Sequence, residues 1–164
     1  MGQRRLYTGS MGVISEDMLR VLGEQSLVFV ATVNADGTPN LSPKGTVRHW
    51  RGDQLVFADL RSPGTMRNLR ANPAVDLNIV DPIVRKGYRF KGNARILDAG
   101  LERDEVMAMY RQTTERADER IRGLVVIDVT EAFPLTSPAY DLGRSEEEVR
   151  AQWMERWRGL YRFG

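Results

Sequence analysis

The sequence has no cysteine and one histidine, His49. The first absence removes disulfides, a thiol nucleophile and thiolate metal sites. The second argues against a histidine-based triad and against a multi-histidine metal centre. No run of about 18 apolar residues occurs, so no membrane-spanning helix is expected. The first residues show no signal-peptide apolar region, which makes the cytoplasm the expected location. Charge of one sign is scarce too: the net charge is +2, and acids and bases alternate along the chain. A nucleic-acid partner or a membrane surface is therefore not expected. Repeats, low-complexity tracts and linkers are absent, and 164 residues suit one domain, 1–164.

Residues 1–12 are glycine-rich and basic and are expected to be loose. Ser15-Glu16-Asp17 opens a helix running to about Gly23. Leu27–Val33 reads as a strand turning at Asn34–Gly37 into a return strand over Asn40–His49. Strands follow over Gln54–Asp59, Ala74–Val80, Gly87–Leu97 and Gly123–Thr136. Helices are expected over 101–117 and, as a C-terminal element, 145–161. Leu124–Ile127 is apolar on both faces. Six strands joined mostly by short turns imply an antiparallel sheet. With no second sheet to pack on, it buries itself most easily by curling into a barrel, in an α+β, mainly β chain. No Gly-x-Gly-x-x-Gly follows the first strand, which argues against a dinucleotide fold.

The most informative stretch is Ser62–Pro73, a short helix with both ends marked. Ser62 is placed to cap it, Pro63 suits the first helical position, and Asn72-Pro73 ends it. Its first turn carries no carboxylate and offers backbone N–H groups, Ser62, Thr65, Gly64, Arg67 and Asn68, an arrangement suited to an anion. The helix dipole contributes only about 0.3–1 kcal/mol, so charge-assisted bonds from basic side chains must add to it. One strand earlier, period two puts Ser42, Lys44, Thr46 and Arg48 on one face, with two cations and no acid. Leu41, Pro43, Gly45 and Val47 fall on the other, where Pro43 and Gly45 are poor strand residues. Strand and helix are expected to converge on one phosphate, with a flat ring along the strand.

The run Asn40–Arg48, then Leu55–Leu69, then Asn72–Val75 resembles the pyridoxamine 5′-phosphate oxidase-related family of flavin-binding split barrels. The resemblance implies a six-stranded antiparallel split β-barrel with flanking helices. It also implies a homodimer with FMN at the interface and a small-molecule substrate. Ser42, Pro43, Lys44, Gly45 and Thr46 are similar to the flavin-contacting strand, and Arg48 to a basic position near the reacting side of the ring. Ala58 and Asp59 resemble the strand end that touches the ring. Ser62, Thr65, Arg67 and Asn68 look like phosphate contacts. The chain departs from the vitamin oxidases at Gly64-Thr65, where they carry an Arg-Lys pair, and lacks their C-terminal tryptophan–arginine signature. The implied activity is FMN-dependent oxidoreduction without a catalytic side chain or metal. The alternatives are a deazaflavin- or haem-binding relative and a flavin-binding protein without turnover.

Overall fold

The computed structural model describes residues 12–161; the looseness expected of the first residues lies almost wholly outside them. Helix α1 (Glu16–Glu24) starts at Ser15, whose hydroxyl accepts the Met18 N–H at 3.4 Å. Strand β1 (Val28–Val33) turns through Gly37, at φ 83°, into β2 (Pro39–Lys44). The short β3 (Arg48–His49) precedes β4 (Gln54–Asp59), which leads into α2 (Pro63–Ala71). Strands β5 (Ala74–Asp81) and β6 (Lys86–Ile96) form a hairpin. Helices α3 (Leu101–Thr113) and α4 (Ala117–Arg120), strand β7 (Gly123–Thr136) and helix α5 (Glu146–Tyr161) complete the described chain.

The strand count is seven among the described residues, not six. The return strand expected over Asn40–His49 is two strands, because the chain changes partner in its middle. β2 pairs with β1, whereas β3 pairs with β4. The sheet runs β2-β1-β5-β6-β7-β4-β3, with every pair antiparallel. Its two outermost strands are therefore consecutive in the chain, joined only by Gly45-Thr46-Val47. Four peptide links reach at most about 14 Å, so the sheet must curl until its edges nearly meet. That curl makes a barrel with one seam. Thr46 fastens this link to β4: its hydroxyl donates to Ala58 O at 2.8 Å and accepts the Ala58 N–H at 3.1 Å, in the register of the β3–β4 pair. The break also resets the alternation. Leu41 is 64% exposed and Val47 2%, although unbroken period two puts them on one face.

Two cores share β4 and β7. Leu55, Phe57, Val125 and Ile127 point into the barrel with Val28, Val30, Leu77, Ile79 and Phe90. Val56, Ala58, Leu124 and Val126 point the other way, under Val106, Met107 and Tyr110 of α3. Strands buried on both faces read as continuous apolar runs, which is why 124–127 shows no alternation. Burial of each large side chain is worth about 1.5–3 kcal/mol. At Gly92, opposite a bulge at Thr130 of β7, an added methyl would sit 2.2 Å from Asp128 O, so only glycine lets β6 and β7 stay paired there. The outer face of the β1–β2 hairpin is different: Leu27, Phe29, Val33 and Leu41 are exposed.

Candidate functional site

Helix α2 begins where β4 ends and packs on β1, β2 and β6. This places its N-terminus beside Lys44, the last residue of β2. The Lys44 side chain is buried, with 7% of the residue exposed. Its Nζ donates to Ser42 Oγ at 2.8 Å and to Ser62 Oγ at 2.5 Å, and lies 5.5 Å from the centre of the Phe57 ring. Lys44 has no ion-pair partner among the described residues. Burial pushes its ammonium below the ordinary lysine value, and the charge of Asp59 pulls it part of the way back.

Ser62 departs from its expected role. It occupies the N-cap position, but no side chain caps α2. Instead its hydroxyl donates to Asp59 Oδ1, which also accepts the Ser62 N–H at 2.8 Å. The helix's own first turn is free of acids. The mouth as a whole is not: Asp59, 5% exposed, reaches it from the end of β4. The expectation of a mouth without a carboxylate is corrected on this point. A reading confined to the helix sequence could not see it, because Asp59 belongs to the preceding strand.

Thr65 and Asn68 turn inward. Asn68 Nδ2 donates to Thr32 Oγ1 at 3.1 Å and to Asn34 Oδ1 at 2.8 Å, and Asn40 Nδ2 donates to Thr32 Oγ1 at 3.0 Å and to Thr65 Oγ1 at 3.4 Å. This buried amide–hydroxyl cluster fixes α2 to the β1–β2 hairpin. Thr32 and Asn40 were not singled out in the sequence. Their signal is the polar pair Thr32–Asn40 facing across the hairpin, in line with Ser42 and Lys44 on the same face of β2. Arg67 is exposed, and its guanidinium borders the first turn: a methyl added at Gly64 would lie 4.0 Å from Arg67 Nη2 and 3.8 Å from Asn40 Oδ1.

The other candidates lie along the seam. Arg48 Nη1 donates to Val47 O at 2.7 Å and to Gly45 O at 3.3 Å, and Tyr110 of α3 donates to Thr46 O at 2.5 Å. Burial drives the Tyr110 phenol well above its usual range. Ala58 belongs to the second core, while Pro43 and Gly45 are exposed. The structure thus brings Ser42, Lys44, Asp59 and Ser62 into one cluster, with Thr65, Asn68 and Arg67 behind and beside it. Thr46 and Arg48 serve the seam backbone.

Several other polar and aromatic side chains have structural partners. Tyr140 donates to Val84 O at 2.6 Å under Lys86, and Lys86 pairs with Glu146 of α5. Arg85 stacks on Trp153 of α5. His49 Nε2 lies 2.9 Å from Gly52 O. Arg70 pairs with Asp98 at 3.0 Å. Among the described residues, no cluster of acids and histidine could hold a metal ion, and no helix is long and apolar enough to cross a membrane.

A curled antiparallel sheet with a seam, and a helix mouth beside it holding a buried cation and two hydroxyls, define a split-barrel protein. The family model described as pyridoxamine 5′-phosphate oxidase matches residues 14–134, and the chain belongs to that family. An uncharacterized protein of Methanocaldococcus jannaschii is 28% identical over 138 residues, covering 81% of this chain and 89% of its own. HupZ of Group A Streptococcus is 27% identical with a TM-score of 0.67, over 76% of this chain and 95% of that one. Three more distant structures share the fold. An FMN-binding protein from Syntrophomonas wolfei is 14% identical, with coverages of 74% and 86% and a TM-score of 0.62. An F420 reductase is 24% identical, with coverages of 73% and 98% and a TM-score of 0.56. HutZ, the haem storage protein from Vibrio cholerae, is 19% identical, with coverages of 75% and 94% and a TM-score of 0.58.

Proposed function

We propose that the protein is a flavin-dependent oxidoreductase that holds FMN with its phosphate at the mouth of α2. The observation that carries this reading is the buried Lys44 ammonium. It donates only to hydroxyls, with Asp59 one hydrogen bond further off behind Ser62, beside a helix whose first turn no side chain caps. A buried cation without a counter-charge in contact is costly, and an arriving phosphate offsets that cost. Lys44, Ser42 and the free backbone N–H groups of the first turn of α2 would bind the phosphate, and Arg67 would close its rim, while Ser62, both of whose donors go to Asp59, would hold the Lys44 ammonium in place. When bound, the flavin supplies the hydride or electron chemistry. This chain's part is to hold the phosphate, orient the ring along β2 and exclude water, with no side chain acting as nucleophile or general acid.

The exposed apolar face of the β1–β2 hairpin supports a homodimer in which a second copy covers Phe29 and Leu41. A small molecule would then react in the cleft between copies. Haem is less well served: the one histidine already has a backbone partner. A deazaflavin is the rival: its longer anionic tail calls for basic residues beyond the mouth, and Arg61 and Arg67 are exposed there.

The purified protein is expected to be yellow, or to take up added FMN at micromolar concentration with a change in the flavin absorption bands. A colourless protein that ignores FMN would end this reading. Reduction of the bound flavin by a nicotinamide, followed by reoxidation by an acceptor, separates an enzyme from a protein that merely stores flavin.

A further inference from the structure

Helices α1, α2 and α5 each start at a serine whose hydroxyl could cap the N–H three residues on. In α1 and α5 it does so. Ser15 has extended backbone, at φ −84° and ψ 165°, and its Oγ accepts the Met18 N–H. Ser145 Oγ accepts the Glu148 N–H at 3.2 Å, and Glu148 Oε2 accepts the Ser145 N–H at 2.7 Å. Ser62 of α2 behaves otherwise. Its backbone sits at φ −135° and ψ 65°, and both of its donors go to Asp59 Oδ1. Its Oγ accepts from Lys44 Nζ and not from the helix. Pro63 has no N–H, so the first turn of α2 keeps two open donors, the N–H groups of Gly64 and Thr65. Neither has a hydrogen-bond partner among the described residues.

We propose that Asp59 is a positioning residue that keeps the α2 mouth open to a phosphate monoester, by holding the Ser62 hydroxyl away from the N–H groups that the phosphate needs. The inference rests on the FMN reading above and adds to it the residue that prepares the site. A serine left to itself caps its helix, because the bond satisfies an N–H that otherwise has no partner. A carboxylate wins this competition, since hydrogen bonds to a charged group are roughly twice as strong as neutral ones. Asp59 is the last residue of β4, three before Ser62, and it is buried, so water does not weaken the bond. Its charge does not turn an anion away: Lys44, Arg67 and the positive end of the helix dipole outweigh it.

The test compares Asp59→Ala, which removes the acceptor, with Asp59→Asn, which keeps an acceptor and removes the charge. Amide exchange in the ligand-free full chain is read by NMR, and the Kd values of FMN and riboflavin by fluorescence quenching. In Asp59→Ala the Ser62 hydroxyl turns back to the helix. The Thr65 N–H should then exchange about fivefold more slowly than in the unaltered protein or in Asp59→Asn, the ratio that an ordinary cap is worth. FMN, measured relative to riboflavin, should bind about fivefold more weakly to Asp59→Ala than to Asp59→Asn. Adding Ser62→Ala to both should bring them within about twofold of each other, because no hydroxyl is left to compete. Equal FMN binding by Asp59→Ala and Asp59→Asn, or a difference that persists without Ser62, would overturn the inference and spare the FMN reading. Ser62→Ala alone is the check that does not depend on how the Asp59 variants fold. It should leave Thr65 exchange within about twofold, and a faster exchange would mean that Ser62 caps α2 after all and would overturn the inference. Should none of these proteins bind FMN, the FMN reading falls, and Thr65 exchange still decides whether Asp59 holds Ser62 off the cap.

Discussion

Replacing Lys44 with alanine is expected to raise the Kd for FMN about 10- to 100-fold while leaving riboflavin within about twofold, because hydrogen bonds to a charged group are worth about 1.5–3 kcal/mol. Arg67 and Arg70 do not take the place of the ammonium at the mouth, since Arg67 is on the rim and Arg70 is committed to Asp98. The isoalloxazine ring carries no phosphate, so its own binding is spared. The measurement is calorimetric titration of both flavins into both proteins. Equal loss of the two would mean that Lys44 supports the fold around the ring and not the phosphate. Thr65→Ala provides the contrast. Thr65 is 1% exposed and accepts from Asn40. Its loss should lower FMN and riboflavin affinity together by loosening α2 from the hairpin.

The second large effect is on stability. Phe57→Ala should cost about 3–5 kcal/mol, the usual range for a fully buried aromatic. Phe57 has no exposed surface and sits in the barrel core beside Leu55, Val125 and Ile127. It also lies beneath Lys44, so the change removes the apolar wall against which the lysine stem rests. In a chain of this length each kcal/mol moves the melting temperature by about 2–4 °C, which places the expected fall between about 6 and 20 °C. Thermal unfolding followed by circular dichroism would detect it. A fall below about 3 °C would mean that the barrel interior collapses around the missing ring.

The fold was legible where local pattern and tertiary context agree. Ser15 opens α1, Asn34–Gly37 turns the first hairpin, and Leu124–Ile127 is apolar on both faces because β7 lies between two cores. The break at Gly45–Val47 was visible only as two poor strand residues, since a change of pairing partner leaves no mark on local propensity. For the same reason Val47 was assigned to the face of Leu41. In the site, the approach of β2 to α2 was readable from the order of basic and hydroxyl residues. The direction of each side chain was not. Thr65 and Asn68 resemble anion contacts in composition, but the helix turn carries them toward Thr32 and Asn40. Asp59 was named as a ring contact. Its bond to Ser62 depends on how β4 turns into α2, which spacing alone does not specify.

The seam at Gly45–Val47 also bears on the order in which the molecule assembles. Joining β4 to β7 brings together residues as far apart as Gln54 and Asp128, 74 positions along the chain, and bears most of the loop-closure entropy. Once that pairing exists, the two sheet edges are already tethered by a few residues, and their approach costs little more. Refolding is therefore expected to be limited by β4 meeting β7. Val126→Ala should slow refolding, whereas Val47→Ala should act mainly by speeding unfolding. Equal slowing by both would put the closing of the barrel inside the rate-limiting step.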